Sequence, residues 1–435
     1  MKKAIYLIGG GPMAVNTFTW AKELGLKTVV TDINPEAPGI KLADFHAVIS
    51  ASDTSGNHES FIDTLSDHVQ ICGVYCGNEI GAPTANKLLK YIGLPFVDSN
   101  SMKIAADKGL MKKEWQRHQI CTPTSILLES PRHLSEILKL RESTFIVKPT
   151  LGSGSRGVQI VRHGVDVNEV WGKAYQPVNY KGQLIIESFK AGRSIDANGI
   201  FFNNTYYAAG ILEKYITKAP ECLPLGGNNP VNLGDEVGDK IHKLMEDACR
   251  AIKLTEGPVK GDFILTKEGI PYLLEVAPRL HGDVTSCNTL PFGSGINPLK
   301  FMFKYWSQRQ IDEQLLNENR QGYGAWRVLC LPPGYSYHKL NSNVIEQNDE
   351  ILMSWFNKRH DRHLKSYINT QQIPGYISAY GKNKAEVEAK MKGYCRKINI
   401  DRSFKSSNLW YKDLKETLLD LQIDPESCGY QSELI

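Results

Sequence analysis

The stretch Phe145-Ile146-Val147-Lys148-Pro149-Thr150-Leu151-Gly152-Ser153-Gly154-Ser155-Arg156-Gly157-Val158 decides how this chain is read. An apolar run ends in Lys148 and Pro149, small residues follow, and a second apolar run begins at Val158. Glycine lets a backbone approach an anion with no Cβ in the way, so loop N–H groups can point at phosphate oxygens. A lysine fixed at a strand end adds a point charge aimed at the same phosphates. A Walker-type loop would carry Gly-Lys-Ser/Thr after its last glycine, and this one does not. Taken alone, the segment also suits an ordinary hairpin loop, so the rest of the chain must decide.

The chain has 435 residues, enough for several domains with sizeable cores. Its 51 basic and 47 acidic residues leave a net charge of +4, too balanced for nucleic acid or a membrane surface as the main partner. Nine cysteines with no CxxC pair fit reduced thiols and a cytoplasmic location. Cys72 and Cys76 are four apart, but their apolar surroundings read as strand packing rather than a metal site. The N-terminal apolar run is short for a signal peptide and reads as a first buried strand, and no segment is long enough to span a membrane.

Residues 1–100 alternate strand and helix signals. Strands are expected at Ala4–Ile8, Thr28–Asp32, Val48–Ile49 and Ile71–Tyr75, with helices at Met13–Leu24, Phe61–His68 and Ala82–Tyr91. That alternation implies a parallel sheet covered on both faces. The turn Gly9-Gly10-Gly11-Pro12 with Asp32 invites a dinucleotide reading, but Ala14 stands where the third fingerprint glycine belongs. A structural or substrate-facing turn is the better reading. Further on, a helix is expected over Ser101–His118, strands at Ser125–Leu128, Phe145–Pro149 and Leu184–Phe189, and a long amphipathic helix over Asp235–Ile252. Phe263–Leu265 and Tyr272–Val276 read as an antiparallel hairpin. Beyond about residue 310 the chain is mixed, with a break at Pro332-Pro333-Gly334 and a strand and helix at Gly375–Tyr380 and Lys384–Arg396.

Four points spread along the chain converge on one architecture. They are Asp107-Lys108 opening a helix, Lys148 with its loop, the strand Leu184–Phe189, and the acids Asp262 and Glu275 on neighbouring strands. The run from Gly261 to Asp283 resembles the metal-binding hairpin of ATP-grasp ligases, which show an acid, a turn, then Glu-x-Asn-x-Arg. The resemblance extends over residues 1 to about 380, most closely to the L-amino acid (dipeptide) ligase and carboxylate–amine ligase branch. Its implied fold is α/β: a parallel-sheet domain over 1–100, an ATP-grasp core over 101–310 with lobes at 101–183 and 184–310, and a C-terminal α+β extension over 311–435.

The resemblance implies ATP and Mg²⁺, or Mn²⁺ in its place, as cofactors. Two hard carboxylates suit a magnesium that shares its sphere with phosphates, which assigns the metal to Asp262 and Glu275. Lys108, Lys148, Gly152, Ser153, Gly154, Ser155, Arg156 and Gly157 fall to the phosphates, while Glu187, Ser188 and Phe189 form the adenine hinge. Lys148 and Arg279 would stabilise the transferring phosphoryl group. Glu213, His281, Gly282 and Asp283 are expected near the organic substrates, with His281 equally readable as structural. The segment 213–232, with Asn228 and Asn229, is expected to line that pocket. Two positions depart from the family pattern. Ser194 stands where a ribose-binding Glu is usual, leaving Asp196 or Asn198 as substitutes. Ala277 replaces the metal-binding Asn, leaving Asp283 or water to complete the sphere.

The activity so implied joins a carboxylate to an amine through an acyl phosphate, releasing ADP and phosphate. The partners are small molecules, and a homodimer is compatible with this. A biotin-carboxylase-like carboxylating enzyme and a non-catalytic ATP-binding regulator are the alternatives. The chain has no Ala-Met-Lys-Met carrier motif, and a regulator should lose the acids that are present here.

Overall fold

The structure, a computed structural model, describes residues 1–140, 143–176, 179, 182–216, 224–318, 322–329, 351–356 and 375–398. The N-terminal sheet is built from β1 (Lys2–Ile8), β2 (Lys27–Thr31), β3 (Phe45–Ala47) and β4 (Val69–Cys76), all parallel in the order β3-β2-β1-β4. Ala4 to Ile8 are all buried, the continuous apolar run expected of a strand covered on both faces. The third strand lies at Phe45–Ala47, ahead of the predicted Val48–Ile49, because its backbone pairs with Val29–Thr31. The helix predicted at Phe61–His68 runs instead from Asn57 to Thr64. Asp32 accepts from the backbone N–H of Gly10 and of Asn34, both at 2.8 Å, so this carboxylate closes its own turn.

A smaller antiparallel sheet follows, made of β5 (Ser125–Leu128), β6 (Phe145–Pro149), β7 (Gln159–Val161) and β8 (Leu184–Ser188) in the order β5-β8-β6-β7. The third sheet has eight strands: β9 (Arg193–Phe202), β10 (Thr205–Ile216), β11 (Pro224–Asn229), β12 (Gly257–Leu265), β13 (Pro271–Ala277), β14 (Tyr323–Val328), β15 (Met353–Phe356) and β16 (Gly375–Gly381). They are ordered β13-β12-β9-β10-β11-β14-β16-β15 and every neighbouring pair is antiparallel. The C-terminal strands therefore continue the central sheet. The break at Pro332-Pro333-Gly334 and the part of the expected substrate segment at 217–223 lie outside the described residues.

The single helix expected over Ser101–His118 is two, Ser99–Ala106 and Lys108–Arg117. Asp107 breaks it by adopting an extended backbone and accepting from the N–H groups of Gly109 and Leu110, a helix N-cap. The central sheet and the N-terminal sheet share one core. Ile5, Leu7 and Phe18 meet Ile200, Phe202, Phe301 and Trp306 there, the last two from the helix Pro298–Gln308. That docking turns the C-terminal ends of β1 and β4 toward the central sheet.

Gly73 on β4 sits against Trp306, and a Cβ there would stand 2.3 Å from the indole ring. Gly73→Ala is expected to lower stability by about 1–3 kcal/mol through overpacking. A urea denaturation midpoint equal to wild type would contradict this docking.

Candidate active site

Two elements, the helix Lys108–Arg117 and β6, supply the cationic side of the cleft. Lys108 opens its helix with its backbone N–H donating to the Thr150 carbonyl at 2.9 Å, which anchors it beside the loop. Its ammonium donates to the Gly152 carbonyl at 2.9 Å and pairs with Glu275 at 3.0 Å. Lys148, at the end of β6, pairs with Glu187 at 2.9 Å. Lys112, one turn beyond Lys108, reaches the other oxygen of Glu187 at 3.3 Å and also donates to Thr122 Oγ1 and to the Leu273 carbonyl. Burial pulls the Lys112 ammonium down to about 8 despite the pull of Glu187. Burial also opposes charge on Glu187, but Lys112 and Lys148 together hold its carboxyl below the usual range.

Strand alternation turns the carboxylate of Glu187 inward, where it anchors two lysines, and Ser188 and Phe189 follow it at the end of the strand. Their N–H groups donate to the Thr124 and Thr144 carbonyls at 2.9 and 3.1 Å, which pins that segment. In the loop Gly152–Gly157, Arg156 Nε donates to the Ser153 carbonyl at 3.0 Å. Gly157 has φ +77°, and a Cβ on it would lie 2.3 Å from the Ala174 carbonyl, so only glycine fits. Gly152, Gly154 and Ser155 also take positive φ, so the loop is a run of turns between Lys148 and β7.

The acidic side lies on one face of the eight-stranded sheet. In register, Asp262 stands opposite Glu275 on β13 and opposite Asp196 on β9. Residues opposite each other in an antiparallel pair share a face. Lys214 from β10 bridges Asp262 at 2.5 Å and Asp196 at 2.7 Å, and Lys260 bridges the same two at 2.7 and 3.1 Å. Burial works against charge on Asp262, yet the two lysines hold its carboxyl well below its ordinary value. Asp196, fully buried and beside Asp262, is pushed up to about 6. For Glu275, burial is likewise outweighed by Lys108, and its carboxyl sits below the usual range.

The loop after β13 closes the site. Arg279 pairs with Glu79 of the N-terminal domain at 3.2 Å and donates to the Leu280 carbonyl at 2.9 Å, while its Nε has no partner among the described residues. His281 Nε2 is 3.4 Å from Asp196, and its backbone N–H donates to Asn198 Oδ1 at 2.7 Å. Burial, then Lys260, Lys214 and Arg279, hold its imidazole well below the usual pKa and therefore neutral. Asp283 accepts from the Tyr75 hydroxyl at 2.8 Å, and burial raises its carboxyl.

Several predicted residues thus converge, and others do not. Lys108, Lys148, the loop, Asp262, Glu275, Arg279 and His281 surround one cleft. Glu213 does not join them: strand alternation puts it on the opposite face from Lys214, where Arg193 grips it at 2.7 and 3.1 Å. Asp283 is held by Tyr75 instead of standing beside the acids. Asp196 is paired with Lys214 and Lys260, and Asn198 Oδ1 accepts from the His281 N–H. Lys112, Lys260 and Glu79 are site residues that the sequence reading missed. The spacing of Lys112 four after Lys108, and of Lys260 two before Asp262, was the available signal.

Two carboxylates directly opposite on adjacent strands fit a hard cation that draws its remaining oxygens from phosphates and water. Ala277 offers no oxygen, and no group of three or more metal-type side chains occurs among the described residues. The donor set therefore fits magnesium only together with a phosphorylated ligand. Glu187→Gln should strand two buried ammonium groups and lower stability by about 3–5 kcal/mol. Chemical denaturation measures this, and a change below about 1 kcal/mol would deny the clamp described here.

Residues 105–283 match the ATP-grasp domain family. The phosphoribosylamine–glycine ligase of Methanococcus maripaludis is 25% identical over 315 residues, which cover 66% of this chain and 69% of that protein. An L-amino acid ligase from Bacillus licheniformis shares the fold at a TM-score of 0.72 and 18% identity, covering 92% of this chain and 98% of its own. A biotin carboxylase from Campylobacter jejuni shares it at 0.67 and 17%, with 91% of both chains covered. Among the described residues, no helix is long and apolar enough to cross a membrane.

Proposed function

We propose, from the match of residues 105–283 to the ATP-grasp domain family and the likeness to a phosphoribosylamine–glycine ligase, that this chain is an ATP-grasp ligase that joins a small carboxylate, an amino acid or similar compound, to an amine through an acyl phosphate. The observation that carries this reading is the facing of two charge sets across one cleft. Lys108, Lys148 and the glycine loop stand on one side, and Asp262 and Glu275 on the other, linked by the 3.0 Å pair between Lys108 and Glu275.

Asp262 and Glu275 would hold magnesium, which supplies charge neutralisation at the terminal phosphates. Lys108 and Lys148 orient the polyphosphate and balance charge that builds on the transferring group. Loop N–H groups add dipoles and cover the phosphates from water. Arg279, with its unpartnered Nε, is placed to steady the phosphoryl oxygens or the substrate carboxylate. The carboxylate attacks the γ-phosphorus and ADP leaves; the amine then attacks the acyl carbon and phosphate leaves. No side-chain nucleophile is required, so the contribution of the protein is position and electrostatics.

Supplied with ATP, magnesium and an amino-acid panel, the protein should release ADP and phosphate only when both organic substrates are present. Hydroxylamine in place of the amine should yield a hydroxamate. AMP and pyrophosphate as products, or ADP release driven by bicarbonate and biotin, would overturn the reading. Glu275→Gln should abolish turnover, by about 10³-fold or more, with the fold retained; near-normal ATP consumption would remove the metal assignment.

The loop at 152–157 should gain protection from hydrogen exchange when nucleotide binds, since its turns have few apolar anchors. Equal exchange with and without ATP would contradict its role as a phosphate cover.

A further inference from the structure

We propose that the buried face of β9, β11, β14 and β16 beneath the segment 281–289, which includes the π-helical turn Val284–Thr289, binds a neutral hydrogen-bonding group, a carboxamide or hydroxyl, on one organic substrate. This rests on the ligase reading above and extends it to substrate class. Six neutral polar atoms there have no hydrogen-bond partner among the described residues: Asn198 Nδ2, Asn229 Oδ1, His281 Nδ1, Thr289 Oγ1, Trp326 Nε1 and Ser378 Oγ. All six residues are more than nine-tenths buried. A buried donor or acceptor left without a partner is costly, and native proteins leave few of them.

The register gathers these atoms on one surface. Trp326 stands opposite both Gly227 and Ser378, and Gly227 stands opposite Lys214, which reaches Asp196 on the site face. Asn229 lies two residues beyond Gly227, and Asn198 two beyond Asp196, so alternation puts both on that face. The covering segment touches the same residues through their other atoms. Asn229 Nδ2 donates to the Thr289 carbonyl at 3.0 Å, His281 N–H donates to Asn198 Oδ1, and the His281 ring lies 6.3 Å from Trp326. Beside His281, the Cβ position of Gly282 meets open space.

The charged groups tell the other half. Asp196 is paired with Lys214 and Lys260, and Arg279 with Glu79. His281 is held neutral by burial and by those cations. Charges on this face arrive compensated, whereas its neutral hydrogen-bonding groups arrive unsatisfied. Away from Arg279, an ionised ligand group would have to break an existing pair to be neutralised, while an amide or hydroxyl completes what is missing.

The test uses the full chain with magnesium and a non-hydrolysable ATP analogue, and measures binding by calorimetry. The probes are near-isosteric pairs, glutamine against glutamate and asparagine against aspartate, with serine and leucine as hydroxyl and aliphatic controls. An amide or hydroxyl probe should bind about tenfold or more tightly than its acidic or aliphatic counterpart. Equal or tighter binding of glutamate, aspartate or leucine would overturn the proposal, as would no binding of any amide or hydroxyl probe. Ser378→Ala and Thr289→Val should each raise the melting temperature of the ligand-free protein while weakening the preferred probe. Trp326→Phe should weaken that probe as well. Unchanged stability and unchanged affinity in all three would mean that water satisfies these atoms, which sinks the idea. Nucleotide binding, read separately, bears on the ligase reading: its absence overturns that reading, whereas its presence without amide or hydroxyl preference overturns only this one.

Discussion

Taking an unpaired carboxylate or ammonium out of water costs several kcal/mol even after the surroundings relax, and this chain buries such groups repeatedly around one cleft. Apart from Asp283, which the Tyr75 hydroxyl holds, it does so in opposed sets. Glu187 lies between Lys112 and Lys148, Asp262 and Asp196 lie between Lys214 and Lys260, and Glu275 faces Lys108. The pairing keeps the ligand-free cleft near neutrality and holds each lysine in place before any phosphate arrives. On the proposed reading, an incoming polyphosphate would exchange one oxyanion for another at Lys108 and Lys148. The lysines would need no new desolvation at that moment, which is the advantage of a preorganised site.

Which acids take part follows from the two-residue period of a strand. Lys214 and Glu213 are neighbours in sequence, yet one bridges the acid pair and the other is clasped by Arg193 on the far face. A slip of one residue in β10 would exchange them and place a carboxylate against Asp262. The eight-stranded sheet prevents this because β10 is paired on both edges, with β9 and with β11. Register, set by backbone hydrogen bonds far from the chemistry, is thus what decides the sign of the charge at the metal acids.

Elements bounded by proline or glycine were legible to the residue, as at Ala82–Tyr91, Ser125–Leu128 and Phe145–Pro149. The clamp lysines and the acid hairpin were legible too, since their residue types and order are unusual. β11 was not, because Pro-Leu-Gly-Gly-Asn-Asn reads as a turn and becomes a strand only through pairing with β10 and β14. Lys112 and Lys260 were missed for a different reason. A lysine on a helix or strand is usually solvated, and nothing local announces that Glu187 or Asp262 waits beside it. The same limit hid the partners of Glu187, which come from a helix and a strand far off in sequence.

The helix Lys108–Arg117 ties these parts into one device. Its two lysines, a turn apart, touch different bodies: Lys108 meets the loop at Gly152 and the acid Glu275, and Lys112 meets Glu187 of the small sheet and the Leu273 carbonyl of β13. Its far side is fastened to the central sheet's long helix by Trp115, which donates to the Ala248 carbonyl at 3.0 Å. The metal acids are similarly joined to the N-terminal domain through the loop after β13, by Arg279 on Glu79 and Asp283 on Tyr75. The helix and the N-terminal contacts therefore brace the acid face from two directions. The phosphate loop is tied to that braced face chiefly through polar contacts at Lys108. Such contacts have polar replacements on hand when a ligand enters, as packed apolar side chains do not, so the cleft can accept a nucleotide without disturbing the core beneath it.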